Sequence, residues 1–245
     1  MGRFNSSAPS GQSISQGQVP SYGGTPYAGA GHNHFQQQNQ MSQEQMMKAQ
    51  QMQEAQRQWP TVFPKPIVGL DRDGTIIEET GGYITDHSQV RYIPGSLEAI
   101  RMIRLKGHRS MILTNQGGIF KKLQTIDQVD AVHQSMMQDF GNAGIFSIDG
   151  LLYSTSSLKD DMYAKPNPGM FNRARDEQNI NWKEGWYVGD KISDLKAADR
   201  VGARPILVLT GHGEKTLKEL DTFANRDLKK KTKIYNNLLE FAQSL

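Results

Sequence analysis

Pro66-Ile67-Val68-Gly69-Leu70-Asp71-Arg72-Asp73-Gly74-Thr75 is the stretch on which the reading of this 245-residue chain turns. Its first half is a short apolar run bounded by turn signals, and reads as a buried strand. Its second half sets two carboxylates one residue apart and closes with a Gly-Thr turn. Charges at the end of a buried strand are costly unless they are paired or hold a metal. The pattern suits phosphoryl transfer: one carboxylate attacks phosphorus, the other handles the proton, and a divalent cation neutralises the surrounding oxygens. Taken alone, DxDGT is equally compatible with a polar loop after a strand, so the weight falls on three later segments.

In Ser110-Met111-Ile112-Leu113-Thr114-Asn115-Gln116-Gly117-Gly118 a second apolar run meets a hydroxyl residue. Thr114 at a strand end is placed to give its hydroxyl to a phosphate oxygen, and the glycines let backbone N–H groups approach the same anion. In Ala164-Lys165-Pro166-Asn167-Pro168-Gly169-Met170, Lys165 is a candidate cation, and Asn167-Pro168 reads as the N-cap and first position of a helix. In Gly185-Trp186-Tyr187-Val188-Gly189-Asp190-Lys191-Ile192-Ser193-Asp194 a strand ends in Gly-Asp, and a second Asp falls in the first turn of the following helix. Asp190 is a hard oxygen ligand of the kind Mg²⁺ prefers. Asp194 suits either steadying Lys165 or a favourable place near the helix dipole. Each segment has a bland reading as a turn or a solvated charge. Together, each at a strand end, they converge in an open α/β sheet on one crevice beyond the carboxyl ends of the strands.

With these four segments the chain resembles the haloacid dehalogenase superfamily of phosphatases. Within it, the chain is most similar to the branch of histidinol-phosphate and D,D-heptose 1,7-bisphosphate phosphatases. The closer resemblance rests on DRDGT, TNQ with Gly118-Ile119, KPxPGM over Lys165–Met170, GDKxxD over Gly189–Asp194, and Gly82-Tyr83-Ile84. It implies a doubly wound Rossmann-like parallel sheet with a minimal cap. It also implies a Mg²⁺-dependent phosphomonoesterase working through an aspartyl-phosphate. On this basis Asp71 and Asp73 are catalytic. Thr114, Asn115 and Lys165 bind phosphate, Asp71, Asp73 (through its backbone carbonyl) and Asp190 hold Mg²⁺, and Asp194 and Lys191 support the site. The implied partner is a small phosphorylated sugar such as heptose 1,7-bisphosphate. Histidinol phosphate, a nucleotide or a polynucleotide 3′ end are the alternatives, and a non-enzymatic module acting through its N-terminal tail is the rival of another class.

The departures bear on specificity. The branch usually carries a zinc loop of three Cys and a His, and this chain has no Cys. It usually has Arg before the motif lysine, where this chain has Ala164. A charge-assisted hydrogen bond contributes roughly 1.5–3 kcal/mol. Its loss leads to weaker recognition of the part of the substrate remote from the transferred phosphate, unless Lys121 or Lys122 replaces the Arg.

Residues 1–58 are rich in Gln, Gly, Ser and Asn, and are too polar to bury a core. Residues 1–40 read as disordered. Residues 41–58 read as a polar helix opened by Ser42 and Gln45 in capping-box spacing, its Met stripe better suited to an unknown protein partner than to a core. Residues 59–245 suit one α/β domain in which strand and helix signals alternate. No apolar run resembles a signal peptide or a membrane span, which leads to a cytoplasmic expectation. The net charge is +3, and the local run Lys229-Lys230-Lys231 with Lys233 reads as a solvated basic stretch, with weak attraction to nucleic acid as the lesser alternative.

The lack of Cys carries its own expectation. The active protein contains no stoichiometric zinc, and zinc-selective chelation leaves turnover intact. Elemental analysis finding stoichiometric zinc in active protein would refute it.

Overall fold

The computed structural model describes residues 43, 45–54, 57, 65–156 and 158–245. The expected disorder of residues 1–40, and Ser42 of the expected capping box, lie outside the described residues. The chain separates into a unit of residues 1–49 and one of residues 50–245. Residues 45–54 are helical, with Met46, Met47 and Met52 exposed.

The larger unit is built on six parallel strands. They are β1 (Lys65–Leu70), β2 (His108–Asn115), β3 (Gly150–Ser154), β4 (Trp186–Gly189), β5 (Arg204–Val208) and β6 (Lys233–Tyr235), in the order β3-β2-β1-β4-β5-β6. The helices are α1 (Ser96–Leu105), α2 (Ile126–Asn142), α3 (Gly169–Gln178), α4 (Ile192–Val201), α5 (Gly213–Leu220), α6 (Arg226–Lys231) and α7 (Leu238–Ser244). Parallel strands need crossover connections, and the helices that supply them cover both faces. Strand alternation sends Val68 and Leu70 into one core with Ile100, Met136, Phe140 and Phe241. Ile67 enters the opposite core with Phe171, Ala174, Tyr187 and Ala198. No helix among the described residues is long and apolar enough to cross a membrane.

Local signals behaved as their chemistry requires, with one correction. Thr125 and Gln128 form the expected capping box at α2, with Gln128 N donating to Thr125 Oγ1 at 3.2 Å and Thr125 N to Gln128 Oε1 at 2.9 Å. Asn167 does not cap α3: the helix starts at Gly169 behind Pro168, with no side-chain cap. The Asn167 amide instead donates to the carbonyls of Lys159 and Asp161, and its oxygen accepts from Arg200. Three loop partners outbid one helix-end donor. The basic run falls in α6, where Lys229, Lys230 and Lys231 pair with Asp221, Asp227 and Asp199. Such exposed pairs contribute little to stability.

Phe171 is fully buried beneath the site, with ring centroids 4.9 Å from Trp182 and 4.8 Å from Tyr187, both edge-to-face. Trp182 Nε1 donates to its carbonyl at 2.9 Å. Phe171→Ala should therefore cost about 3–5 kcal/mol of unfolding free energy, measured by urea denaturation. A loss below about 1 kcal/mol would contradict this packing.

Candidate active site

The sheet order reverses between β1 and β4: from β1 the chain proceeds to β2 on one side, and from β4 to β5 on the other. That is the switch point where doubly wound sheets open a crevice. Asp71 follows β1 and Asp190 follows β4, so the reversal alone brings them together. Thr114 and Asn115 end β2, Lys165 lies in the loop before α3, and Asp194 sits in the first turn of α4.

Lys165 is the hub. Its ammonium lies 2.8 Å from Asp71 Oδ1 and 2.7 Å from Asp194 Oδ1, and donates to Leu113 O and Tyr187 Oη at 2.9 Å each. Burial works against this cation, but Asp194 and Asp71 outweigh it and hold its pKa well above the ordinary value. Asn115 clamps the lysine's main chain, accepting from Lys165 N at 2.9 Å and donating to Lys165 O at 3.0 Å. Its side chain, expected on a phosphate, is thus spent on positioning Lys165. Asp194 also closes α4 by accepting from Lys191 N at 2.9 Å.

Asp71, Asp190 and Asp194 are buried and offer carboxylate oxygens within 4.8 Å of one another. Burial, with Asp194 adding and Lys165 opposing, pushes Asp71 up to about 6. Burial, with Lys191 opposing and Asp194 and Asp71 adding, pushes Asp190 up to about 8. Asp190 Oδ2 accepts from His212 N at 2.8 Å, whereas Oδ1 has no hydrogen-bond partner among the described residues. Gly74 (φ +79°) and Gly211 (φ +57°) both lean on this carboxylate, and a Cβ at either position would collide with it. A buried, unsatisfied carboxylate oxygen beside two further acids fits a hard divalent cation.

Asp73 faces a different environment. Arg72 donates to it through Nε at 3.1 Å and Nη2 at 2.9 Å, and Gln116 Nε2 donates at 3.0 Å. Thr114 Oγ1 lies 3.4 Å from the same carboxylate and accepts from Gln116 Nε2 at 3.0 Å. Burial would raise Asp73, but the Arg72 charge and these hydrogen bonds hold it below the usual carboxylate range. Arg72, itself buried, also reaches Gln116 Oε1 at 3.0 Å and His133 Nε2 at 2.8 Å. Since Arg only donates, His133 Nε2 must accept, which makes the imidazole neutral. Burial and Arg72 push its pKa down to about 3. The roles of Gln116 and His133 were not foreseen. The available signal for His133 was a histidine on the apolar stripe Val129, Val132, Met136 and Phe140 of α2.

A 410 Å³ cavity opens over Asp73 and is bordered by Glu79, Tyr83, Gln116, Lys121 and Lys191. The loop Ile76–Val90 lines it through Glu79, Gly81, Gly82, Tyr83 and Ile84. The described part of segment 154–163 supplies no lining residue. Glu79 and His212 were also unforeseen: Glu79 Oε2 lies 2.7 Å from Lys191 Nζ and 3.4 Å from His212 Nε2.

Comparison with known proteins agrees with this geometry. A family profile described as HAD-hydrolase-like matches residues 162–240. The chain is 32% identical over 178 residues to the D-glycero-β-D-manno-heptose-1,7-bisphosphate 7-phosphatase of Neisseria meningitidis, covering 72% of this chain and 92% of that protein. It is 31% identical to the enzyme of that name from Pseudomonas putida, covering 72% and 97%. Among solved structures, the D,D-heptose 1,7-bisphosphate phosphatase of B. bronchiseptica, in complex with magnesium and phosphate, matches with a TM-score of 0.65 and 26% identity, covering 73% of this chain and 97% of that one. The protein is a phosphatase with the haloacid dehalogenase fold. Within that superfamily the chain belongs to the family of D-glycero-D-manno-heptose-1,7-bisphosphate phosphatases.

The raised carboxyls of Asp71 and Asp190 have a measurable consequence. Below about pH 8 Asp190 carries a proton, and below about pH 6 so does Asp71, so a bound cation must displace them. Affinity for Mg²⁺ should therefore rise with pH through the window 6–8, with proton release. Calorimetry in buffers of different ionisation enthalpy checks this. Affinity that is flat with pH, and no released proton, would contradict it.

Proposed function

We propose that the protein is a Mg²⁺-dependent phosphomonoesterase that removes one phosphate from a sugar bisphosphate of the D-glycero-D-manno-heptose 1,7-bisphosphate type. The observation that carries the reading is the buried set Asp71, Asp190, Asp194 and Lys165 at the switch point, with Asp73 held apart beside it. The names of the relatives support the sugar.

Asp71, Asp190 and the backbone carbonyl of Asp73 would hold the cation. When bound, it supplies positive charge to the phosphoryl oxygens and keeps Asp71 ionised. Asp71 attacks phosphorus in line, and the bond to the ester oxygen breaks. Asp73, which takes up a proton on leaving the Arg72 and Gln116 donors, gives that proton to the leaving oxygen. Water then attacks the aspartyl-phosphate, Asp73 takes the proton of the water, and phosphate leaves. Lys165 and the Thr114 hydroxyl stabilise the equatorial oxygens, where transition-state charge lies. Asn115 keeps Lys165 in place, and Asp194 balances its charge. Asp73 must leave part of its Arg72 and Gln116 network to reach the substrate, and those donors favour its anionic form, suited to the water-activating half of the cycle.

Asp71→Asn should abolish turnover, since an amide is neither a competent nucleophile nor a comparable ligand. Asp73→Asn should lose at least about 10²-fold in kcat, the usual size of general acid–base catalysis, and trap phosphate on the protein. Activity is followed with p-nitrophenyl phosphate and heptose 1,7-bisphosphate, with circular dichroism as the folding control. Near wild-type rates in a folded Asp71→Asn variant would overturn the nucleophile assignment.

A further inference from the structure

The cavity over Asp73 is electrostatically two-sided, and one side has no assigned task. Of its cations, Arg72 is consumed by Asp73, Gln116 and His133. Lys191 is paired with Glu79 at 2.7 Å and faces the carboxylates of Asp71 and Asp190. Lys121 alone among these faces the cavity with no carboxylate partner among the described residues. Its ammonium donates to Tyr83 Oη at 2.9 Å and lies 5.6 Å from the centroid of that ring. This single hydrogen bond leaves the ammonium two further N–H donors.

The pair is held rather than loose. Gly118 has no side chain, and a Cβ there would collide with Tyr83 and Gln124. Buried Gln124 donates to Ile84 O at 2.7 Å, tying the Lys121 loop to the Tyr83 loop. Phe120 N donates to Thr155 O at 3.0 Å, tying the same loop to the end of β3. Lys122, the neighbouring cation, turns through a left-handed backbone (φ +58°) and does not line the cavity. Ala164 is 1% exposed and is also absent from the lining.

We infer that Lys121, braced by Tyr83, is the specificity-determining anion subsite for the second, uncleaved phosphate of a bisphosphorylated substrate. The inference rests on the phosphatase reading above and adds the group that reads the far end of the substrate. Glu79 contributes by occupying Lys191: the pair leaves that side of the cavity without a free ammonium for a second phosphate. A bisphosphate is thereby turned so that its spare anion meets Lys121, which also selects the ester presented to Asp71.

The test compares kcat/KM for heptose 1,7-bisphosphate with that for heptose 7-phosphate, in wild type, Lys121→Met and Lys121→Arg, using the full chain and Mg²⁺. A charge-assisted contact of this kind gives a bisphosphate preference of about tenfold or more. Lys121→Met should bring the ratio close to one, mainly through KM, and Lys121→Arg should keep most of it. A wild-type ratio near one, or a ratio that survives Lys121→Met, would overturn the inference while leaving the phosphatase reading intact. If neither heptose ester were turned over while p-nitrophenyl phosphate was, the sugar assignment would fall. The ratio of their inhibition constants against p-nitrophenyl phosphate would then decide on Lys121 by the same criterion.

Discussion

Mutual repulsion among Asp71, Asp190 and Asp194, buried within reach of one another, is the constraint around which the rest of the domain is arranged. Three such carboxyl groups cannot ionise together without compensation, and each neighbouring feature supplies part of it. Lys165 bridges two of them, Asn115 fixes the main chain of Lys165, the N–H of His212 serves Asp190 Oδ2, and the Lys191 N–H serves Asp194 Oδ2. The helix start at α4, the turn at Gly74 and the turn at Gly211 are all shaped by the same requirement. Removing one member of a buried pair typically costs about 3–5 kcal/mol because its partner is left uncompensated. Loss of activity in a Lys165 variant therefore mixes chemistry with structure, whereas isosteric changes at the aspartates separate them better.

The two aspartates of DRDGT are neighbours in sequence and opposites in electrostatics. Burial and acidic neighbours raise Asp71, while Arg72 and Gln116 hold Asp73 down. Environments that push two carboxyl groups apart are how one site obtains two roles from one residue type. Here the division is made by which way each side chain points. Asp71 looks toward the sheet and Lys165, and Asp73 looks toward Arg72 on the α2 side, where His133 anchors the guanidinium. A divalent cation would reverse the sense of the Asp71 shift, since its charge is the largest local field when present.

The parts legible in the sequence were those with a local signature. The apolar runs ending in Asp71, Thr114 and Asp190 were readable because a buried parallel strand is a continuous apolar stretch, and its polar end announces the crevice. The Thr125–Gln128 box was readable because both partners lie within one turn. What escaped notice depended on distance or on weak patterning. His133 and Arg72 meet only after α2 packs on the sheet. Asn167 looked like a cap because its competing partners, Lys159, Asp161 and Arg200, are brought in by tertiary structure. Strand β6 has only three residues, two of them exposed, and α6 is almost wholly charged, so neither carries a readable period.

The register that sets Val68 of β1 beside Trp186 of β4 also fixes when the site comes into being. Contacts so distant along the chain close late, because the intervening loop must first be ordered. During synthesis Asp71 emerges early and stands in water, where a single carboxylate carries no penalty. Asp190 and Asp194 arrive only with β4 and α4, after β1, β2 and β3 are available to pair. The most repulsive part of the molecule is thus withheld until a framework exists to confine it, and a chain that ends before β4 lacks the acids that complete the site.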